Sequence, residues 1–155
     1  ILFPFLSDYA SRLYGIELHD KFKEVRDMLQ KEGIRADLLK GDIMELPVKE
    51  NTFDVIVCLS LLEHLMPDML QDALLQMKKA VRKNGFLIIG FPGENIITRM
   101  IFSLFYKDHD KNVHISNHQL IMEAIRKNFI LKKTINYPWV FGNRLSLYYT
   151  CLCEL

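Results

Sequence analysis

Two acids stand where short apolar segments stop: Glu17 at the end of YGIE and Asp42 at the end of LLKGD. A carboxylate at a strand end can accept hydrogen bonds from ribose hydroxyls, and one at the next strand end from an adenine amino group. Either acid alone also serves as a turn former or as the cap of the next helix. The pair, at the ends of two consecutive strands, favours a nucleoside. A second group, Glu63-His64, closes the apolar run FDVIVCLSLL. An imidazole titrating near neutrality can take a proton from a hydroxyl, so His64 is a candidate general base; it can equally cap or pack beneath the helix that starts at Pro67. A third group, KDHDKNVHISNH, gathers His109, His114 and His118 beside Asp108 and Asp110. It has neither a cysteine nor a helical histidine pair, so it makes a poor metal motif and reads as a solvated loop.

The elements that must hold these groups follow from periodicity. Residues 12–18 form a short strand. Residues 20–33 form a helix with Asp20 as its cap and Gly33 as its stop, and Phe22, Val25, Met28 and Leu29 make one apolar stripe. Residues 34–42 are a second strand. The run at 53–62 is apolar at odd and even positions alike, which predicts a strand covered on both faces. Pro67-Asp68 opens a helix that Asn84-Gly85 stops, and residues 85–92 form another buried strand. Residues 93–118 read as an insertion with an apolar stripe (Ile96, Ile97, Met100, Ile101, Leu104, Phe105). A helix at 116–129 carries a capping box from Ser116 to Gln119. Strands at 130–137 and 145–153 close the chain as a hairpin around PWVFGNR, with Trp139 and Phe141 at its tip. Alternation of this kind predicts an α/β fold, a Rossmann-like doubly wound and mostly parallel sheet with an antiparallel strand from the C-terminal hairpin. A single domain over 1–155 is expected.

Composition narrows the function. The 155 residues balance 20 Lys and Arg against 19 Asp and Glu, so no global field favours nucleic acid or an anionic membrane. No apolar run approaches the length of a membrane span. The three cysteines, Cys58 inside a strand and Cys151 and Cys153 on one strand face, suit a thiol-keeping, cytoplasmic setting better than a disulfide framework.

Taken together, YGIEL, GDIMELP, FDVIVCLSLLEHL, KNGFLIIGFP and the closing hairpin resemble the class I S-adenosylmethionine-dependent methyltransferases, nearest to the small-molecule group that includes quinone-biosynthesis enzymes. The resemblance implies S-adenosylmethionine as cofactor, with Glu17 on the ribose hydroxyls, Asp42 on the adenine amino group, and Ile43 and Met44 along the adenine ring. Leu59, Ser60 and Leu61 would lie beside the methionine part, and Leu18 next to Glu17 completes the set. It also implies that 93–118 forms a substrate lid, that His114 lies near the acceptor, and that His64 and His114 are the candidate proton acceptors for a small, hydrophobic substrate. One feature departs from the family: no glycine-rich GxGxG loop precedes residue 13, and the abrupt ILFPFL start is read as the cut end of a longer chain. A sheet without that strand would expose apolar edges and invite self-association. Two rivals remain. A nicotinamide-dependent Rossmann oxidoreductase also places a strand-end acid on ribose, and a non-catalytic methyltransferase-like module would explain the absent loop.

Overall fold

The computed structural model describes residues 2–20, 22–93, 115–138 and 146–155. Its contacts divide the chain into two compact units, residues 1–47 and 48–155. Each has its own sheet.

In the first unit, helix α1 (Phe3–Leu6) precedes strand β1 (Leu13–Glu17), helix α2 (Phe22–Lys31) and strand β2 (Ala36–Lys40). β1 and β2 pair in parallel from Leu13↔Ala36 to Glu17↔Lys40, a strand–helix–strand crossover. α2 ends as its sequence demands: Gly33 adopts φ +69°, and Ile34 N donates to Leu29 O at 2.9 Å, closing the last turn. Gly15 is needed for close approach, because a Cβ there would sit 2.9 Å from both Leu38 and the Phe3 ring. Asp20, expected as a cap, gives its carboxylate to Lys40 Nζ at 2.9 Å.

The second unit runs β3 (Phe53–Leu59), a 3-10 turn (Leu62–His64), α3 (Pro67–Ala80), β4 (Val81–Pro92), α4 (His118–Asn128), β5 (Ile130–Tyr137) and β6 (Tyr148–Glu154). The sheet order is β3-β4-β6-β5. β3 and β4 are parallel, and β6 is antiparallel to both of its neighbours, so β6 is the one reversed strand of four. The predicted α/β architecture with an antiparallel hairpin strand is therefore the one observed. Leu70, Ala73, Leu74 and Met77 of α3, Ile121 and Ile125 of α4, Leu87, Ile89 and Phe91 of β4, and Cys151 and Cys153 of β6 form the core. Gln71 and Asn128 exchange two amide hydrogen bonds at 2.8 and 3.0 Å, tying α3 to α4 without leaving either side chain unsatisfied.

Three local expectations are corrected. β3 is less covered than its apolar run predicts: among the described residues only Cys58 of the strand is buried, Val55 is 46% exposed, and the strand pairs with β4 alone. Its apolar run belongs to an edge. α3 stops at Ala80 rather than at Lys83, because β-branched Val81 is drawn fully into the sheet opposite Phe53. Asn84 then takes φ +67° and Arg82 pairs with Asp54 at 2.7 Å. The cap of α4 is Asn117, whose Oδ1 accepts from Gln119 N and Leu120 N at 3.0 Å each. Ser116, the expected cap, is buried and donates to Leu65 O at 2.7 Å.

Candidate functional site

In the first unit the backbone brings the two strand-end acids to the same end of the sheet. Gly41 N donates to Glu17 O at 3.0 Å, so Asp42 follows directly on the residue that closes against β1. Glu17 Oε1 accepts from Leu18 N at 2.9 Å and His19 N at 3.5 Å. Asp42 Oδ1 accepts from Met44 N at 2.9 Å, an Asx turn that bends the chain through Ile43 and Met44 toward Glu45. Both carboxylates are exposed, and each keeps its second oxygen outside these local bonds. Glu17, Leu18, Asp42, Ile43 and Met44 are thus gathered at one end of the sheet, with both carboxylates exposed, the kind of group that accepts from a nucleoside's hydroxyl and amino donors. A cleft of about 790 Å³ lies at the opposite end of β1 and β2, lined by Arg12, Arg26, Arg35 and Asp37 among others. Arg12 is already paired to Asp37 there at 3.1 Å. Ligands of open α/β sheets sit at the carboxyl ends of the strands, so the acids and not this cleft define the candidate site.

In the second unit the carboxyl end of β3 carries the remaining residues. Leu59 ends the strand, and Ser60 takes φ +51° while its N–H donates to Gly90 O at 2.8 Å. A left-handed serine at a strand end is a strained position of the kind found at binding sites. It turns the chain sharply into the 3-10 turn that presents Leu61, Glu63 and His64. Ser60 Oγ and Tyr148 Oη lie 3.0 Å apart in a hydrogen bond. Gly90 makes this bond possible: a Cβ there would stand 2.8 Å from Tyr148 Oη and 2.6 Å from Leu59.

Glu63 is the least expected member. Its side chain is 3% exposed, its Oε1 lies 3.9 Å from His64 Nε2, and its Oε2 has no hydrogen-bond partner among the described residues. The carboxylate is felt by its neighbours. Burial first and Glu63 second push the Cys58 thiol up from 9.0 to about 12, and burial, followed by the opposing Ser60 bond and then Glu63, leaves Tyr148 raised as well. His64 is half exposed. His118 stacks on Tyr149, ring centroids 5.5 Å apart, so it belongs to the α4–β6 packing. His114, His109, Trp139, Phe141 and the apolar stripe of the insertion lie outside the described residues. Tyr148 escapes a sequence reading because nothing local sets it apart from its neighbour Tyr149, and only the register Pro92↔Tyr148 sets it beside β4 near Ser60.

The methyltransferase-domain family matches residues 1–89, more than half of the chain. Among solved structures, a S-adenosylmethionine-dependent methyltransferase of Methanosarcina mazei superposes with a TM-score of 0.75 at 12% identity, covering 98% of this chain and 86% of its own. One from Clostridium acetobutylicum gives 0.73 at 12% identity, with 97% and 77% covered. The magnesium protoporphyrin IX methyltransferase of Synechocystis, solved with bound S-adenosylhomocysteine, gives 0.72 at 15% identity, with 99% and 68% covered. No curated protein matches the chain.

Proposed function

This chain belongs to the methyltransferase-domain family, a class I family that takes its methyl group from S-adenosylmethionine, and from that premise we propose that its acceptor is a small molecule held at the carboxyl ends of its strands. The family match removes the nicotinamide oxidoreductase as a rival. The observation that carries the site assignment is the placement of Glu17 and Asp42, both exposed, at one sheet end, each with one carboxylate oxygen outside the local bonds. A ribose diol suits Glu17, whose Oε1 is held by the Leu18 and His19 amides. An adenine amino group suits Asp42, with Ile43 and Met44 along the ring. Leu59, Ser60 and Leu61 are assigned to the amino-acid end of the cofactor from the resemblance alone. The cofactor supplies an electrophilic methyl on a positively charged sulfur, so the protein's task is chiefly alignment and exclusion of water. His64, half exposed beside Glu63, is a proton acceptor able to exchange with solvent. His114 is assigned the same role from the resemblance alone.

The near balance of charge supports an acceptor other than nucleic acid. No helix of the described residues is long and apolar enough to cross a membrane. Three free thiols, all buried, support a cytoplasmic setting. Exposed apolar side chains on the sheet edges, Val55 on β3 and Ile130, Ile135 and Tyr137 on β5, support self-association.

Calorimetric titration with S-adenosylhomocysteine tests the reading. We expect the parent chain to bind and Asp42→Ala or Glu17→Ala to weaken binding by at least about tenfold, the loss of a hydrogen bond to a charged group. Equal affinity in both variants would remove these acids from the site.

A further inference from the structure

Tyr148 is tied across the sheet to a residue held in an unfavourable conformation. In the order β3-β4-β6-β5, β6 and β3 are not neighbours, and β4 lies between them. Leu59, the last residue of β3, stands opposite Gly90 of β4, and Tyr148, the first of β6, stands opposite Pro92. From there the Tyr148 ring crosses β4 over Gly90: a Cβ at that glycine would lie 2.9 Å from Tyr148 Cε1 and 2.8 Å from its Oη. The phenol ends 3.0 Å from Ser60 Oγ, in a bond between residues 88 apart in sequence. The backbone it reaches needs holding. Ser60 has φ +51°, where a Cβ crowds the following carbonyl and glycine is the usual occupant. A residue with a side chain persists there only where its surroundings over-determine it, and such positions gather at binding sites. Two bonds do so here. Ser60 N donates to Gly90 O at 2.8 Å, which extends the β3–β4 ladder and is open to any residue with an N–H. The hydroxyl bond is specific: it requires a hydroxyl at Ser60, a phenol at Tyr148 and no side chain at Gly90.

Resting on the methyl-transfer reading above, which assigns Leu59, Ser60 and Leu61 to the amino-acid end of the cofactor, we propose that Tyr148 is a positioning residue for that end. Its hydroxyl fixes Ser60 in the left-handed conformation, and that conformation sets the direction of the turn that meets the ligand. Tyr148 acts through Ser60 and touches no reacting atom. A turn held in this way meets the ligand already shaped, so ordering it takes nothing from the binding energy. Burial, the largest influence on the phenol, raises it from 10.0, so it stays protonated and the bond is present throughout the neutral range. The nucleoside end, assigned to Glu17 and Asp42, does not depend on this bond. Tyr148 therefore controls how much the amino-acid end adds to binding.

The test is calorimetric titration of the full chain with S-adenosylhomocysteine and with 5′-methylthioadenosine, which has the same nucleoside and no amino-acid end. Tyr148→Phe keeps the ring and removes the hydroxyl alone. We expect it to bind S-adenosylhomocysteine about tenfold more weakly than the parent, the scale of one hydrogen bond, and 5′-methylthioadenosine within about twofold. In a Ser60→Gly background the left-handed turn needs no hold, so adding Tyr148→Phe should change neither affinity by more than about twofold. A readout without ligand accompanies these: the Ser60 backbone carbon shifts should have left-handed values in the parent and lose them in Tyr148→Phe. Unchanged S-adenosylhomocysteine affinity in Tyr148→Phe, or unmoved Ser60 shifts, would overturn the inference. Equal loss of both ligands would make Tyr148 a merely structural residue, and a selective loss that persists in Ser60→Gly would mean direct contact with the ligand; either result overturns it too. A parent chain that binds neither ligand, or both equally, while the Ser60 shifts move as expected would instead overturn the assignment of this turn to the cofactor, leaving Tyr148 as the hold on a turn without one.

Discussion

Cys58, Cys151 and Cys153 carry a measurable consequence of burial. All three are free and buried, and burial raises each thiol, Cys58 and Cys153 to about 12. A raised acid stays neutral in the folded chain while the unfolded chain ionises above 9.0. Between 9.0 and about 12 the folded state therefore binds more protons, so the stabilisation is complete below 9.0 and is lost as pH climbs through that window. Urea midpoints should hold steady up to about pH 9 and fall beyond it, and Cys58→Ala should flatten the decline. An alkaline limb of unchanged slope in that variant would mean that Cys58 is not protected by burial. The same protection makes Cys58 inert: iodoacetamide should modify it only as the chain unfolds, because the thiolate is the nucleophile. Glu63 is the opposite case. Beside His64 in sequence it looks like half of an exposed acid–base pair, and nothing in LLEHL tells a buried carboxylate from a solvated one. Its burial accompanies a tertiary tie, because the carbonyl of the same residue takes Ile115 N and Ser116 N, partners more than fifty residues away.

At the scale of elements, α4 offers a direct test of which side chain caps a helix. Asn117 accepts both exposed amides of the first turn, whereas Ser116 points into the core toward Leu65. Replacing Asn117 by Ala should cost about 1 kcal/mol in a denaturant melt, and Asn117→Asp should recover most of it. Equal stability of the Ala variant would show that the amides are held by other means. The S-N-H-Q sequence contains two residues able to cap at adjacent positions, so the spacing to Gln119 favours Ser116 and only burial decides against it. Elements set by strong local signals were legible: Gly33 as a left-handed stop, Pro67 as a helix start, and β5 in full as the first strand of the closing hairpin. The end of α3 was not. Asn84-Gly85 is a credible stop, yet Val81 leaves the helix early because pairing opposite Phe53 buries it completely. Tertiary pairing overrode local propensity there.

Across the whole molecule, what sequence alone could not show is how unequally the apolar side chains are shared. In residues 1–47 only Leu13 and Leu29 are buried apolar side chains among the described residues, while residues 48–155 hold the remainder of the core. A unit of this size with so few buried side chains is marginal by itself, since small folds bury too little surface to offset chain entropy. Yet it carries both acids assigned to the nucleoside. The two facts together give a prediction in native-state hydrogen exchange. Amides of β1 and β2 should exchange through low-energy openings, and those of β4 and β6 should approach the protection of global unfolding. S-adenosylhomocysteine, binding only where Glu17 and Asp42 are ordered, should slow exchange in residues 13–40. Its effect is RT ln(1 + [L]/Kd), about 2.7 kcal/mol at a hundredfold excess over Kd. Asp42→Ala should abolish that gain while leaving β4 and β6 as they were. Protection gained in β4 and β6 but not in β1 and β2 would place the nucleoside elsewhere, and uniform protection across both units without ligand would contradict the division of the core. A weakly packed unit bearing the proposed ligand contacts is the arrangement in which binding energy does most to order the fold, because openings there cost least and ligand excludes them.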